Sequence, residues 1–364
     1  MSVARHARCR VRADGARWLT ATAALLTALG CADHDAPRAS STTPAPADAL
    51  SAGIAPAGFP AGSVAQAAPP DNPLTEARAQ LGRRLFYETS LSSTGDISCA
   101  SCHRQQYAFS DPNAVSTGIE GLQGTRNAPA LVNLAWSERF FWDGRAASLE
   151  EQAGKPIENP LEMNLSLDDA VTRLSAEPSY VSDFEATFGE PVSTDTLRKA
   201  IASFVRVLVS GGSPYDRHLA GDDSQFTSAA GRGEQLFFSE KAECFHCHPQ
   251  GALTNDGFFN NGSYRDGGDE GRKAVTGRSS DLGKFKVPGL RNVAVSAPYM
   301  HNGSLATLRE VIEQYTAGGL GHPSTDPQIL PLPLADDEID DLLAFLEALT
   351  DTDFLDDPRF RLAP

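Results

Sequence analysis

Two pentapeptides decide how this chain is read: Cys99-Ala100-Ser101-Cys102-His103 and Cys244-Phe245-His246-Cys247-His248. Both are C-x-x-C-H, the attachment signature of c-type haem. The spacing has a chemical reason. Two thiols about one helical turn apart add to the two vinyl groups of a porphyrin, and the adjoining imidazole ligates iron. A zinc site or a disulfide would leave both terminal histidines without a role. The residues therefore predict two covalently bound haem c groups, with His103 and His248 as proximal ligands.

Outward from these motifs, a short repeat predicts two modules. Gly82-Arg83-Arg84-Leu85-Phe86 precedes the first motif and Gly233-Glu234-Gln235-Leu236-Phe237 the second. Leu74, Ala77, Leu81 and Leu85 recur at helical spacing, and further helices are expected over Leu167 to Leu174, Thr194 to Val209, Ser228 to Phe238, Ser304 to Tyr315 and Asp337 to Leu349. Ser304 and Asp336 are the expected N-caps of the last two. No run of alternating strands is evident between the long Gly-, Asn- and Pro-rich loops. The fold expected is mainly α, with two haem-bearing domains over 73–225 and 226–350 and a tail over 351–364.

The N-terminus reads as a secretory leader over residues 1–30, with Arg5, Arg8, Arg10, Arg12 and Arg17 ahead of an apolar run from Trp18 to Leu29. That run is too short for a permanent membrane span. It ends Ala28-Leu29-Gly30-Cys31, which admits either lipid attachment at Cys31 or ordinary cleavage nearby; Cys9 leaves with the leader either way. Residues 31–72, rich in Ala, Pro, Ser and Thr, read as a disordered tether. Overall the chain carries 31 basic and 47 acidic residues, a net charge of −16. The leader holds five Arg and one Asp, so the remainder has 26 basic and 46 acidic groups and carries −20. That sign excludes nucleic acid and anionic lipid as partners.

Few side chains can take the sixth position on each iron. Beyond the leader there are two methionines, Met163 and Met300, and no histidine lies between His103 and His218. The first haem thus lacks an imidazole from its own loop. Its distal face is open or lined by other groups, and an open face is what oxygen or peroxide chemistry needs.

The chain resembles the bacterial di-haem cytochrome c peroxidase and MauG family from about residue 74 to 350. Before Cys99 the resemblance rests on Leu85-Phe86-Tyr87 and Leu91-Ser92. After it come Arg126-Asn127-Ala128-Pro129, Phe141-Trp142-Asp143-Gly144-Arg145-Ala146, Glu151-Gln152-Ala153 and Asn159-Pro160-Leu161-Glu162-Met163. Pro288-Gly289-Leu290-Arg291-Asn292-Val293 and Ala297-Pro298-Tyr299-Met300-His301-Asn302-Gly303 complete it. The resemblance implies two cytochrome c-like domains, the haem at His103 being peroxidatic and the haem at His248 passing electrons. It places Glu162 and Gln152 in the distal pocket, as proton shuttle and peroxide-orienting amide. It also sets Trp142 between the haems and makes Asn127 a calcium ligand, with backbone carbonyls near Arg278 and Ser280.

Two departures stand out. Well-known peroxidases carry a switching histidine after the first motif, whereas Val115 to Arg126 has none, so no reductive activation is expected. Where they place Met before Pro-Tyr, this chain has Ala297; Met300 becomes the expected sixth ligand of the second haem and Tyr299 its rival. Met163 and Trp136 are expected in the core, His246 as a filler of its motif, and His218 and His322 on the surface. The function expected is periplasmic reduction of hydrogen peroxide, fed by a small cytochrome c or cupredoxin with a basic patch; a homodimer is compatible with the family. The alternatives are a MauG-like oxidation of a partner protein and a di-haem electron carrier without catalysis.

Overall fold

The computed structural model describes Leu50, Phe59 and residues 64–362. The leader, Cys9, Cys31 and most of the expected tether lie outside the described residues. The described residues belong to one compact unit.

Its helices are α1 (Glu76–Phe86), α2 (Cys99–Cys102), α3 (Leu149–Glu158), α4 (Leu167–Ser175), α5 (Pro178–Phe188), α6 (Thr194–Arg206), α7 (Pro214–Leu219), α8 (Ser228–Phe237), α9 (Lys273–Thr276), α10 (Leu308–Thr316), α11 (Asp336–Glu347) and α12 (Thr352–Asp356). Two strands of two residues each, β1 (Phe258–Phe259) and β2 (Phe285–Lys286), pair antiparallel with Phe258 opposite Lys286. Loops and single 3-10 turns make up the rest.

The sequence repeat proves to be one packing device used twice. Gly82 lets α1 cross α6 so closely that a Cβ there would lie 1.9 Å from the Ala200 carbonyl oxygen, and Gly233 brings α8 equally close to Asp341 of α11. Each helix ends on a phenylalanine beside a haem-motif histidine: Phe86 has its ring centre 6.5 Å from His103, and Phe237 lies 6.4 Å from His248. Around the first crossing, Leu85, Phe86, Leu197, Ile201 and Phe204 are buried, each side chain contributing roughly 1.5–3 kcal/mol. Around the second, Phe237, Ile339, Leu342, Phe345 and Leu346 form a separate apolar cluster.

Several expected boundaries move. Tyr215 of α7 packs edge-on against Phe345 at 5.1 Å, so the second cluster begins before residue 225, at α7. The tail is built into the first cluster through Phe354 and Phe360. The packed body also reaches back into the expected tether: Leu50 is buried, Phe59 lies 4.4 Å from the Trp136 ring, and Asn72 donates to Glu150 at 2.7 Å. Helix α10 starts three residues beyond Leu305, because Thr307 and Glu310 form a capping box while Leu305 pairs with Tyr299. Asp336 lies inside α11 instead of capping it. Glu338 accepts from the backbone N–H of Ala335 and closes that end. Helix α3 was not expected, since Gly154 and Pro156 break its pattern; Pro156 falls in the last turn, where a helix is about to end.

Gly82→Ala or Gly233→Ala should lower stability by about 1–3 kcal/mol or more through forced separation of the crossing helices. Gly124→Ala, with nothing nearer than 3.8 Å to the added carbon, should be near neutral. Thermal melts of the three holoproteins check this.

Candidate active site

Each motif histidine is half-buried and anchored through Nδ1. That of His103 lies 2.6 Å from the Phe109 carbonyl oxygen, and that of His248 lies 2.7 Å from the Leu253 carbonyl oxygen. A carbonyl only accepts, so Nδ1 carries the proton and Nε2 keeps its lone pair. Burial pushes both imidazoles below their ordinary pKa, His248 to about 4, so both are neutral and able to ligate at neutral pH. Cys99, Cys102, Cys244 and Cys247 are free of disulfides.

A cavity of about 920 Å³ adjoins the first motif, within the range of roughly 300–1,000 Å³ that encloses cofactor-sized ligands. A second cavity, about 260 Å³, adjoins the other motif. Much of its lining is flexible apolar side chains such as Leu290, Leu308 and Met300, which have to give when a porphyrin enters. Paired thiols, tautomer-fixed imidazoles and adjoining apolar cavities fit haem c at both motifs.

Several of the sequence-selected residues gather around the first cavity. Glu162 and Gln152 line it with Cys99, Cys102 and His103. Burial raises the Glu162 pKa, and a hydrogen bond from Asn159 Nδ2 at 2.5 Å and the charge of Arg145 partly offset that rise. Gln152 sits on α3 with its amide unengaged by other described residues. Met163 lines the same cavity but is buried in the apolar core, as expected of a packing residue.

Trp142 lines both cavities. Its Nε1–H donates to the Asn127 carbonyl at 2.8 Å, and its own carbonyl accepts from the Lys286 N–H at 2.7 Å. Arg126, which also lines the first cavity, pairs with Asp143 at 2.6 Å and with Asp269 at 2.5 Å, which holds the guanidinium charged. Asn127 is buried; its Nδ2 donates to the Asn113 carbonyl at 3.0 Å, which leaves Oδ1 free to ligate a cation.

Around the second cavity the sixth-ligand candidates separate. The Tyr299 hydroxyl donates to the Val293 carbonyl at 3.0 Å, and burial pushes its pKa up to about 12. Asn261 Nδ2 lies 3.3 Å from Met300 Sδ and 3.0 Å from the Tyr315 hydroxyl. Tyr315 is a cavity residue that sequence reasoning left unassigned. The available signal was a phenol at the end of an amphipathic helix, a pattern shared with ordinary core residues. His301 was also left without a role; it is buried, lines both cavities and stacks on Phe285 at 3.6 Å.

His246 lies 2.7 Å from Glu243 and 3.9 Å from Glu240. His218 and His322 are partly buried and hold acidic partners, Asp223 and Asp266.

Comparison with known proteins gives the family. The family described as di-haem cytochrome c peroxidase matches residues 76–224. The chain is 41% identical to the methylamine utilization protein MauG of Methylorubrum extorquens over 285 residues, covering 77% of this chain and 80% of that protein. It is 33% identical to the cytochrome c551 peroxidase of Pseudomonas aeruginosa, over 76% of this chain and 80% of the relative. A solved MauG-like protein associated with microbial copper homeostasis superposes with a TM-score of 0.77 at 38% identity, covering 81% of this chain and 95% of that one. The chain belongs to the di-haem cytochrome c peroxidase and MauG family and is an oxidoreductase of the peroxidase type. Membership implies two haem c groups.

Asn159→Ala should raise the Glu162 pKa further, because burial then acts with less opposition. The acid-side step in a pH titration of the first haem's spectrum should move to higher pH; an unmoved step would detach it from Glu162.

Proposed function

We propose that this chain reduces hydrogen peroxide to water in the periplasm with electrons from a small cytochrome c or cupredoxin. What carries this is the make-up of the first cavity: Glu162 and Gln152 line it, and the 115–126 loop contributes no imidazole. Haem held by Cys99, Cys102 and His103 would supply an open iron position and the electrons that split the O–O bond. Glu162 takes a proton from one peroxide oxygen and returns it to the other, which leaves as water. Its raised pKa suits a group that must act as both base and acid. The Gln152 amide orients peroxide by hydrogen bonding. Trp142 relays electrons between the two sites; its indole N–H meets a carbonyl, with no carboxylate there to take the proton.

The loop that bears a switching histidine in well-known peroxidases is here a closed hairpin. Gly118 N–H donates to Leu122 at 2.8 Å, Gly124 N–H to Ser116 at 3.0 Å, and Ile119 N–H to the Glu162 carbonyl at 2.9 Å. Gly118 lies so close that a Cβ would sit 2.2 Å from the Leu161 carbonyl oxygen. A loop pinned over Glu162 in this way supports readiness for peroxide without reductive activation.

The second reading is MauG-like oxidation of residues in a partner protein, favoured by the same missing histidine and by the relative named MauG at 41% identity. A non-catalytic electron carrier requires six-coordinate iron at both sites. For the second site we keep Met300 as sixth ligand and add Tyr315, which shares Asn261 with it; Tyr299 is engaged by Val293. Asn127 Oδ1 is the protein ligand proposed for one calcium ion. Export and a Cys31 anchor belong to this proposal, as does a homodimer. Among the described residues no helix is long and apolar enough to cross a membrane.

The resting oxidised protein should give one high-spin and one low-spin ferric EPR signal, whereas two low-spin signals would falsify constitutive readiness. Either Met300→Leu or Tyr315→Phe should alter the low-spin signal; if neither does, both ligand assignments fail. Glu162→Gln should lower peroxide turnover by two orders of magnitude or more with both haems retained. Unaltered turnover would remove its role. If turnover with a basic donor rises with ionic strength, the charge-steering idea is wrong; a chelator that leaves the spectra unchanged would dispose of calcium.

A further inference from the structure

The loop between His103 and Phe109 is strained. Ala108 and Phe109 both hold φ at +56°, in the left-handed region that side chains with a Cβ disfavour. Such a conformation persists only where its surroundings over-determine it. Phe86 and Phe204 flank the Phe109 ring at 6.0 and 6.5 Å, and the far end of the chain supplies the rest. Gln105 Nε2 donates to the carbonyls of Phe354 at 3.2 Å and Asp357 at 2.8 Å. The Phe109 ring is flanked by Phe354 at 5.9 Å and Phe360 at 6.2 Å. Arg83 of α1 and Tyr87, its C-cap, hold the carbonyls of Arg359 and Phe360 at 2.7 and 3.0 Å. Asp351, at the start of the segment, accepts from the Gly211 and Gly212 N–H groups at 3.0 and 2.8 Å, tying it to the chain between the two clusters.

We propose that residues 351–360 are a positioning clasp for the first haem site, acting through Phe109. The clasp holds the strained carbonyl that accepts the His103 Nδ1–H bond. A well-held bond there makes the imidazole a stronger electron donor and favours ferric iron. Leu253 does the same work for His248 at φ +52°, yet it lies in its own cluster, so the second haem is an internal control. The inference rests on haem c being attached at Cys99 and Cys102.

The test is spectroelectrochemistry of the full-length holoprotein carrying Phe360→Ala or Gln105→Leu, after a covalent haem stain. Loss of staining in the unaltered protein would sink the haem assignment and not the clasp. With both haems attached, each variant should raise the midpoint potential of the first haem and weaken its ferrous iron–histidine stretch, leaving the second haem unchanged. Phe360→Leu should restore part of the shift. Gln105→Leu cuts only the two hydrogen bonds, so it reads the clasp even if Phe360→Ala does not fold. A fall in melting temperature with both potentials unmoved, or an equal shift of both haems, would overturn the proposal.

Discussion

Two imidazoles, each half-buried against apolar neighbours and each held by one backbone carbonyl, are the constraint around which the molecule is arranged. A buried imidazole loses its proton readily, and a carbonyl partner decides which nitrogen keeps the one that remains. The arrangement needs a stiff wall on one side and a shaped loop on the other. The wall is a pair of helices crossing at a glycine, and the loop in each half passes through left-handed backbone at the carbonyl itself. Phe86 and Phe237 complete both settings from equivalent places, which is why a five-residue resemblance between the halves survives although little else in them is alike.

Between the halves the contacts change character, from apolar packing to oriented polar groups. Trp142 is held at both its indole nitrogen and its carbonyl, and Arg126 bridges Asp143 and Asp269. The indole hydrogen bond to Asn127 and the backbone bond to Lys286 hold Trp142 where it lines both cavities. The same region holds Asn127, whose backbone N–H is donated to the His301 carbonyl at 2.8 Å. A cation at its free Oδ1 would therefore act on the joint between the two sites.

Much of the site was legible because its chemistry is local. Two thiols and an imidazole within five residues leave few alternatives, and Glu162, Gln152 and Trp142 stand in short, distinctive blocks that the structure brings to one cavity. Other features were hidden for definite reasons. Helix α3, which presents Gln152, contains a glycine and a proline that obscure its period. Tyr315 looks like any aromatic on the inner face of a helix until Asn261, 54 residues earlier, is seen beside it. The segment after Thr350 resembles a tail because its partners, Gln105 and Phe109, lie some 250 residues away.

By itself the sequence determined the two thiol pairs with their adjoining imidazoles, the helical class and the absence of a histidine in the loop over the first site, since each depends only on residue type and short spacing. Tertiary structure alone decided which distant groups meet: that the C-terminal segment joins the first cluster, that α7 belongs to the second, and that Tyr299 is engaged while Met300 and Tyr315 share Asn261. The physical reason is that a hydrogen bond or ring contact across the fold depends on where both partners finish in space, and no local pattern encodes that position.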